Sequence, residues 1–192
     1  VENDTFVEYA INNGIKYIRG SEKDVLGRLI LCGDLVGATD IFRSTSESPF
    51  PYFDFIDLAW EQHIKQGNDG TFLDNVIDGC GFEIVSLNAL KKSHTEGEDR
   101  HRSELCTLYI RENKDRFKIE YISPPEKIAR KDIRLTVDYP EDLIVCRAVY
   151  KEFKDFAPKI PLLDIVDFLD DNTQLLKLTS PFCEEGYKTM YL

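Results

Sequence analysis

Short apolar runs alternate with amphipathic helical patterns along this 192-residue chain, and this alternation limits the folds open to it more than any other feature. Apolar runs rich in β-branched residues predict strands at 15–18, 39–43, 82–86, 117–122 and 133–137. Apolar residues at helical spacing predict helices at 4–11, 25–33, 55–64, 87–94, 105–112, 140–153 and 163–170, followed by an irregular tail. Strands that alternate with helices indicate one α/β domain over 1–192, with a mostly parallel sheet flanked by helices.

The charge and the cysteines exclude several classes of protein. The formal net charge is −11, which argues against a general nucleic-acid binder because such a protein needs a basic face for phosphates. A nucleotide substrate stays open, since carboxylates can hold a metal that holds phosphates. The five cysteines lack the close spacing of a zinc site and fit reduced thiols in the cytoplasm. No apolar run approaches the ~18 residues of a membrane span.

Two acidic loops occupy positions where α/β sheets bind ligands. Glu47 and Asp138 each lie in the loop that follows a predicted strand. Ligands in such sheets sit outside the carboxyl ends of the strands. Arg43 and Arg134 lie at or beside predicted strands near these acids, and a guanidinium there suits phosphate or carboxylate recognition. A surface salt bridge is the alternative for each arginine.

Three segments, in this order and spacing, resemble one family of enzymes. They read R-G-S-E-K-D-V-L-G-R at 19–28, D-G-C-G-F-E-I-V-S at 78–86 and R-L-T-V-D-Y-P-E-D-L at 134–143. Together they resemble the spore coat polysaccharide biosynthesis protein F group of cytidylyltransferases, which is related to the CMP-acylneuraminate and CMP-3-deoxy-manno-octulosonate synthetases. The resemblance extends over almost the whole chain, from about Thr5 to about Leu178.

The resemblance implies a three-layer, Rossmann-like nucleotidyltransferase fold of the glycosyltransferase-A-like type. It implies a cytoplasmic, Mg²⁺-dependent transferase that moves a nucleoside monophosphate from a nucleoside triphosphate, usually CTP, to a sugar or sugar acid. Pyrophosphate would leave, and the sugar nucleotide would supply cell-surface polysaccharide or glycan biosynthesis. Neither nucleic acid nor a membrane is an expected partner, and a homodimer is left open as the assembly.

The sequence departs from the family pattern at three places. The family opens with a strand and a glycine-rich loop of the form Q-A-R-x-x-S-x-R-L-P-G-K, which cradles the triphosphate and is absent here. Its absence predicts a fold truncated at the N-terminus by about 50 residues, one strand–loop–helix–strand unit. It also predicts poor catalysis by these 192 residues alone. T-S-E-S-P at 45–49 replaces T-G-D-C-P, and S-E-L-C-T at 103–107 replaces R-E-H-V-T.

Two other functions stay open beside the transferase. The absent loop and the altered motifs favour a non-catalytic relative that binds a sugar nucleotide or a partner protein. A glycosyltransferase of similar fold would use a nucleotide sugar and would need a D-x-D loop after a strand, and the sequence has no such loop.

Asp138 and Glu47 are the predicted catalytic and metal-binding residues. In the family the aspartate at the position of Asp138 binds Mg²⁺, and Glu47 stands where the family has its other metal-binding aspartate. Mg²⁺ usually takes one or two carboxylates together with water and substrate phosphates. The alternatives are a helix cap for Asp138, ahead of a helix opened by Pro140, and an ordinary loop position for Glu47.

The remaining candidate residues are predicted to bind substrate. Arg43 and Arg134 are candidates for binding phosphate or carboxylate. Glu83 and Ser86 match the family segment that faces the sugar. A structural hydrogen bond is the alternative for Glu83, which needs a partner if it is buried. Glu104 matches the glutamate of R-E-H-V-T between altered neighbours.

Overall fold

The computed structural model of the chain describes residues 3–188 as a mixed α/β structure. Its strands are β1 (Asp40–Arg43), β2 (Gly70–Leu73), β3 (Phe82–Ser86) and β4 (Ile119–Tyr121). Its α-helices are α1 (Asp4–Asn12), α2 (Val25–Val36), α3 (Ile56–Gln66), α4 (Leu87–Glu96), α5 (Leu108–Glu112), α6 (Pro140–Phe153), α7 (Leu162–Asp171) and α8 (Thr173–Lys188). Every helix predicted from apolar spacing is present. None of the helices in this described range combines the length and hydropathy that crossing a membrane requires.

The four strands form one sheet in the order β1-β3-β2-β4. β3 lies antiparallel between β1 and β2, while β2 and β4 pair in parallel. The expected parallel direction therefore holds for β1, β2 and β4, and it is wrong for β3. The reason is the connection over 74–81, which is shorter than the dozen or so residues that a parallel crossover requires.

Helices cover both faces of this sheet, which confirms the expected three layers. Successive side chains of a strand point to opposite faces. Leu73, Phe82 and Ile84 belong to the core cluster that includes α3, α6 and α7. Phe72 and Val85 belong to a second cluster with residues of α2, α4 and α5. Burial of apolar side chains on both faces is what fixes the sheet between the two helical layers.

Two predicted strands are wrong, and the reason is tertiary. The segment 15–18 is not a strand, because no neighbouring strand pairs with it in the described structure. Its side chains are not buried either, since Ile15 is 53% exposed and Tyr17 is 44% exposed. The segment 133–137 contributes a single bridge, between Arg134 and Asp78. An apolar run predicts a strand, but only a neighbouring strand with free hydrogen-bonding groups makes one.

Two elements went unpredicted. β2 has only four residues and begins at Gly70, next to a stretch rich in turn-forming residues. α8 occupies the region predicted as an irregular tail and contains Pro181. It forms because it packs against α6 and α7, where Thr179 and Cys183 are buried. Tertiary packing outweighs the helix-breaking tendency of a single proline here.

Candidate functional site

A cavity of about 550 Å³ opens at the edge of the sheet where β1 and β2 end. Its wall includes the loop after β1, the connection over 74–79, the segment 134–139 and the end of α8. This is the edge at which the sequence predicts ligand binding. The described structure therefore places the two predicted acidic loops in one cavity.

Six of the predicted site residues line this cavity and one does not. Those in the wall are Arg43, Glu47, Glu83, Glu104, Arg134 and Asp138. Ser86 lies at the other end of β3, paired with Asp40 at the start of β1, whereas Glu83 pairs with Arg43. Because β3 is antiparallel, its first residues reach the cavity and its last residue lies away from it. The expectation that Ser86 shares a site with Glu83 is wrong.

Ser86 instead caps α4. Its hydroxyl accepts a hydrogen bond from the backbone N–H of Ala89 at 3.1 Å. We expect Ser86→Ala to lower the free energy of unfolding by about 1 kcal/mol, the ordinary cost of a lost N-cap. Urea unfolding measures this loss, and nucleotide and sugar affinity should stay unchanged. A selective loss of sugar affinity would show that the cap assignment is incomplete.

Glu83 is held by three donors from two other elements. Its carboxylate accepts hydrogen bonds from Arg43 Nη1 at 2.7 Å, from Thr107 Oγ1 at 2.5 Å and from Arg111 Nη2 at 3.1 Å. Arg111 also donates to both carboxylate oxygens of Asp74, at 2.5 and 3.1 Å. We call Arg43, Asp74, Glu83, Thr107 and Arg111 the Glu83 cluster. The two guanidinium groups balance the charge of the two carboxylates. The hydrogen bonds of the cluster fix the position of the buried Glu83 carboxylate at the cavity wall.

The sequence did not reveal that Arg111 belongs to this cluster. A charged residue on a short helix ordinarily points to solvent, but the guanidinium of Arg111 is buried and lies 3.9 Å from the ring centroid of Phe72. Burial acts to lower the pKa of Arg111, and the hydrogen bond to Asp74 and the attraction of Glu83 raise it further than burial lowers it. Arg111 therefore stays charged and pairs with both carboxylates.

Arg134 forms a second buried cluster on the other side of the connection over 74–79. Its guanidinium donates to Asp78 at 2.6 Å and to Asp142 at 3.0 and 3.1 Å, and it also pairs with Asp138. We call these four residues the Arg134 cluster. Burial raises the pKa of Asp78, although the attraction of Arg134 opposes that rise. One cation among three carboxylates leaves an excess of negative charge here.

The Arg134 cluster orients Asp138 toward the cavity. Asp142 accepts hydrogen bonds from the backbone N–H groups of Asp138 and Tyr139, both at 3.0 Å, and so fixes the start of α6. The side chain of Asp138 is half exposed, whereas that of Arg134 is buried. The capping role that was the alternative for Asp138 thus belongs to Asp142. Arg134 lines the cavity and forms ion pairs with Asp78, Asp138 and Asp142, and its role in substrate binding stays a prediction.

A backbone hydrogen bond holds Glu47 beside the residue that precedes Asp138. The N–H of Val137 donates to the carbonyl oxygen of Glu47 at 2.9 Å, which joins the loop after β1 to the segment 134–138. Two carboxylates from adjacent segments fit the donor set of Mg²⁺, which takes its other oxygens from water and phosphate. Within residues 3–188, no group of three or more His, Cys, Asp or Glu side chains is arranged as a metal site. Metal binding therefore stays a prediction.

The end of α8 closes one side of the cavity. Phe182 stacks on Tyr139 with ring centroids 4.1 Å apart and an interplanar angle of 15°. Gly186 lies so close to Arg134 and Asp78 that a β-carbon there would approach Asp78 Oδ2 to 2.6 Å. The absence of a side chain at Gly186 lets α8 pack directly onto the Arg134 cluster. This wall was not predicted, because the sequence pattern at 173–188 indicates an irregular tail where the structure has α8.

Known proteins resemble this chain over most of its length. No protein-family model matches it. It is 32% identical over 187 residues to the uncharacterized protein MJ1063 of Methanocaldococcus jannaschii, covering 97% of this chain and 76% of that protein. It is 29% identical over 173 residues to the spore coat polysaccharide biosynthesis protein SpsF of Bacillus subtilis, covering 89% of this chain and 72% of SpsF.

A solved structure shares the fold. It is a cytidylyltransferase from Leptospira borgpetersenii that superposes with a TM-score of 0.81 at 23% sequence identity. The match covers 91% of this chain and 74% of that one. The Rossmann-like nucleotidyltransferase fold predicted from the sequence is therefore confirmed.

Proposed function

We propose that this chain, which is a relative of the cytidylyltransferase family, transfers a nucleoside monophosphate from CTP to a sugar for polysaccharide or glycan biosynthesis. One observation carries the proposal beyond the family relationship. The cavity brings Asp138 and Glu47, from adjacent loops, together with the fixed carboxylate of Glu83. Acidic oxygen donors for a metal ion and a carboxylate that can accept a hydrogen bond from a sugar hydroxyl are two of the features that this transfer uses.

The residues of the cavity have separate tasks in this reaction. Asp138 and Glu47 would hold Mg²⁺, which supplies charge neutralisation for the triphosphate when it is bound. Arg134 keeps the Asp138 carboxylate oriented through their ion pair. Glu83 accepts a hydrogen bond from a sugar hydroxyl and so orients the sugar. An oxygen of that sugar attacks the α-phosphorus in line and pyrophosphate leaves, with catalysis coming mainly from positioning and charge stabilisation.

A non-catalytic role is the second candidate, and one observation favours it. The Asp138 carboxylate is already paired with Arg134 in this structure. A protein that binds a sugar nucleotide without turnover would leave that pair in place. Pyrophosphate release from CTP, with a panel of sugars, distinguishes the two candidates. Release that needs both Mg²⁺ and a sugar supports the transferase. Because poor catalysis by these 192 residues alone is expected, binding without release supports the second candidate only if a chain that includes any residues encoded upstream also gives no release.

Asp138→Asn tests the proposed metal ligand. Asparagine keeps the shape of the side chain and removes its charge. We expect Mg²⁺-dependent CTP affinity to fall at least about tenfold, because a hydrogen bond or contact to a charged group contributes about 1.5 kcal/mol or more. Titration calorimetry with and without Mg²⁺ measures the change.

Asp115→Asn is the matched control for this experiment. Asp115 is exposed and lies outside the cavity wall. Its substitution should leave CTP affinity unchanged. Equal affinity of Asp138→Asn and the unaltered chain in the presence of Mg²⁺ would contradict the assignment of Asp138.

A further inference from the structure

The side of α6 that faces solvent is apolar and basic. Leu143, Ile144 and Tyr150 are 38%, 53% and 55% exposed. Arg147 and Lys151 are exposed among them on the same face of the helix. The opposite side of α6 is buried in the core cluster that also takes residues of α3 and α7. Large apolar side chains grouped at one exposed surface are typical of an interaction site.

The side of α7 that faces solvent has the same spacing of exposed residues, but it is acidic. The exposed residues of α7 are Leu163, Asp164, Asp167, Asp170 and Asp171. Their offsets along the helix match those of the exposed residues of α6. Residues at matching offsets cover the same angular width of a helix. The two helices therefore present faces of equal width and opposite charge.

Only part of this charge is paired within the chain. Asp167 pairs with Lys127 at 2.7 Å. Asp170 pairs with Arg130 at 3.0 Å. The other charged groups of the two faces make no ion pair within residues 3–188, and they are Arg147, Lys151, Asp164 and Asp171. Two cations on one face and two anions on the other can therefore pair across an interface without breaking an ion pair inside the chain.

α6 and α7 lie beside each other in one helical layer. The rings of Phe153 and Phe168 join the two helices edge to face, with centroids 5.7 Å apart. A two-fold axis that places α6 of one copy on α7 of another also places α7 of the first copy on α6 of the second. The contact then closes with two copies, and each basic face meets an acidic one.

We propose that the chain forms a homodimer in which the apolar and basic face of α6 covers the acidic face of α7 in the partner copy. The contact removes Leu143, Ile144 and Tyr150 from water and adds charge pairs around them. None of the residues that form the two faces lines the cavity. The inference is therefore independent of the proposed function.

Sedimentation equilibrium on the chain measures this association, and we expect a dimer. Two variants reverse the charge of one face each. Arg147→Glu with Lys151→Glu makes both faces acidic, and Asp164→Lys with Asp171→Lys makes both faces basic. We expect each variant alone to raise the dissociation constant at least about tenfold, because like charges that face each other across an interface repel.

A mixture of the two variants tests the complementarity itself. In a mixed pair the two acidic faces of one chain meet the two basic faces of the other, so both contacts join opposite charges again. We expect the mixture to recover most of the lost affinity, because the effects of groups in contact are coupled. Native mass spectrometry distinguishes the mixed pair from either homodimer by its mass. A mixture that stays monomeric would overturn the inference.

Lys16→Glu with Lys23→Glu is the matched control. Both lysines are exposed and lie outside α6 and α7, and their substitution changes the net charge as much as the first variant does. It should leave the dissociation constant unchanged. Ile144→Asn alters no charge and should also weaken the dimer, while far-UV circular dichroism checks that each variant folds. A monomeric chain, or a dimer that persists in every variant, contradicts the proposed interface.

Discussion

Arg134→Met should lower the free energy of unfolding by about 3–5 kcal/mol, the cost of breaking a buried ion pair from one side. Asp142 and Asp78 are 0% and 4% exposed, and both depend on Arg134 for a cation. Methionine has a similar length but offers no donor, so both carboxylates would stay buried without their partner. Urea unfolding at neutral pH, with equal m-values for the two proteins, measures the loss.

The pH dependence of this loss has a definite sign. Burial already raises the pKa of Asp78 above the ordinary 3.8, so the folded chain binds this proton more readily than the unfolded chain. The ionised carboxyl therefore costs stability above its folded pKa, and that cost disappears as the pH falls. Arg134→Met removes the electrostatic attraction that opposes this rise in the pKa of Asp78. The stability deficit of Arg134→Met should narrow as the pH is lowered, and a constant or growing deficit would contradict this account.

Arg130→Met is the matched control for Arg134→Met. Arg130 also pairs with two aspartates, Asp132 and Asp170, at 2.6 and 3.0 Å. These two carboxylates are exposed, so solvent screens the pairs and replaces the lost donor. We expect a change of at most about 1 kcal/mol. The contrast between the two arginines measures the effect of burial.

Gly79→Ala should lower the free energy of unfolding by at least about 2 kcal/mol. Gly79 has a φ of 86°, which L side chains rarely adopt, and a β-carbon there would lie 2.6 Å from the backbone C and O atoms of Leu135. Backbone atoms cannot rotate away as a side chain can. The connection over 74–79 would move from the segment that carries Arg134 and Asp138. CTP affinity should therefore fall together with stability in calorimetry and urea unfolding.

Gly67→Ala separates the effect of φ from the effect of the close approach. Gly67 ends α3 with a φ of 63°, and a β-carbon there would meet nothing within 4 Å. We therefore expect the free energy of unfolding to fall by about 1 kcal/mol, the cost of conformational strain alone, and CTP affinity to stay unchanged. Equal losses for the two glycines would show that the approach to Leu135 does not matter.

The sequence by itself determined the elements whose signals are local. Apolar spacing predicts α3 and α6, and Pro140 marks the start of α6 as its fixed φ requires. The end of β1 predicts the edge of the sheet where Glu47 lies, because the loop after a strand necessarily begins at that edge. Asp138 lies at the same edge although the segment before it forms a single bridge and no strand. The order and spacing of three segments led to the family. Apart from that order and spacing, each of these signals is contained within about 15 residues of the chain, the length of a typical helix or strand with its loop.

Only the tertiary structure decided which distant groups meet. The reversed direction of β3 places Glu83 at the cavity and removes Ser86 from it. α5 brings Arg111 to Glu83, and packing on α6 and α7 makes α8 a helix despite its proline. Periodicity states which face of an element is buried, but it does not state which element covers that face or which carboxylate an arginine will reach. These pairings depend on all the buried surfaces and charges of the folded chain together. A single short window of the sequence does not contain that information.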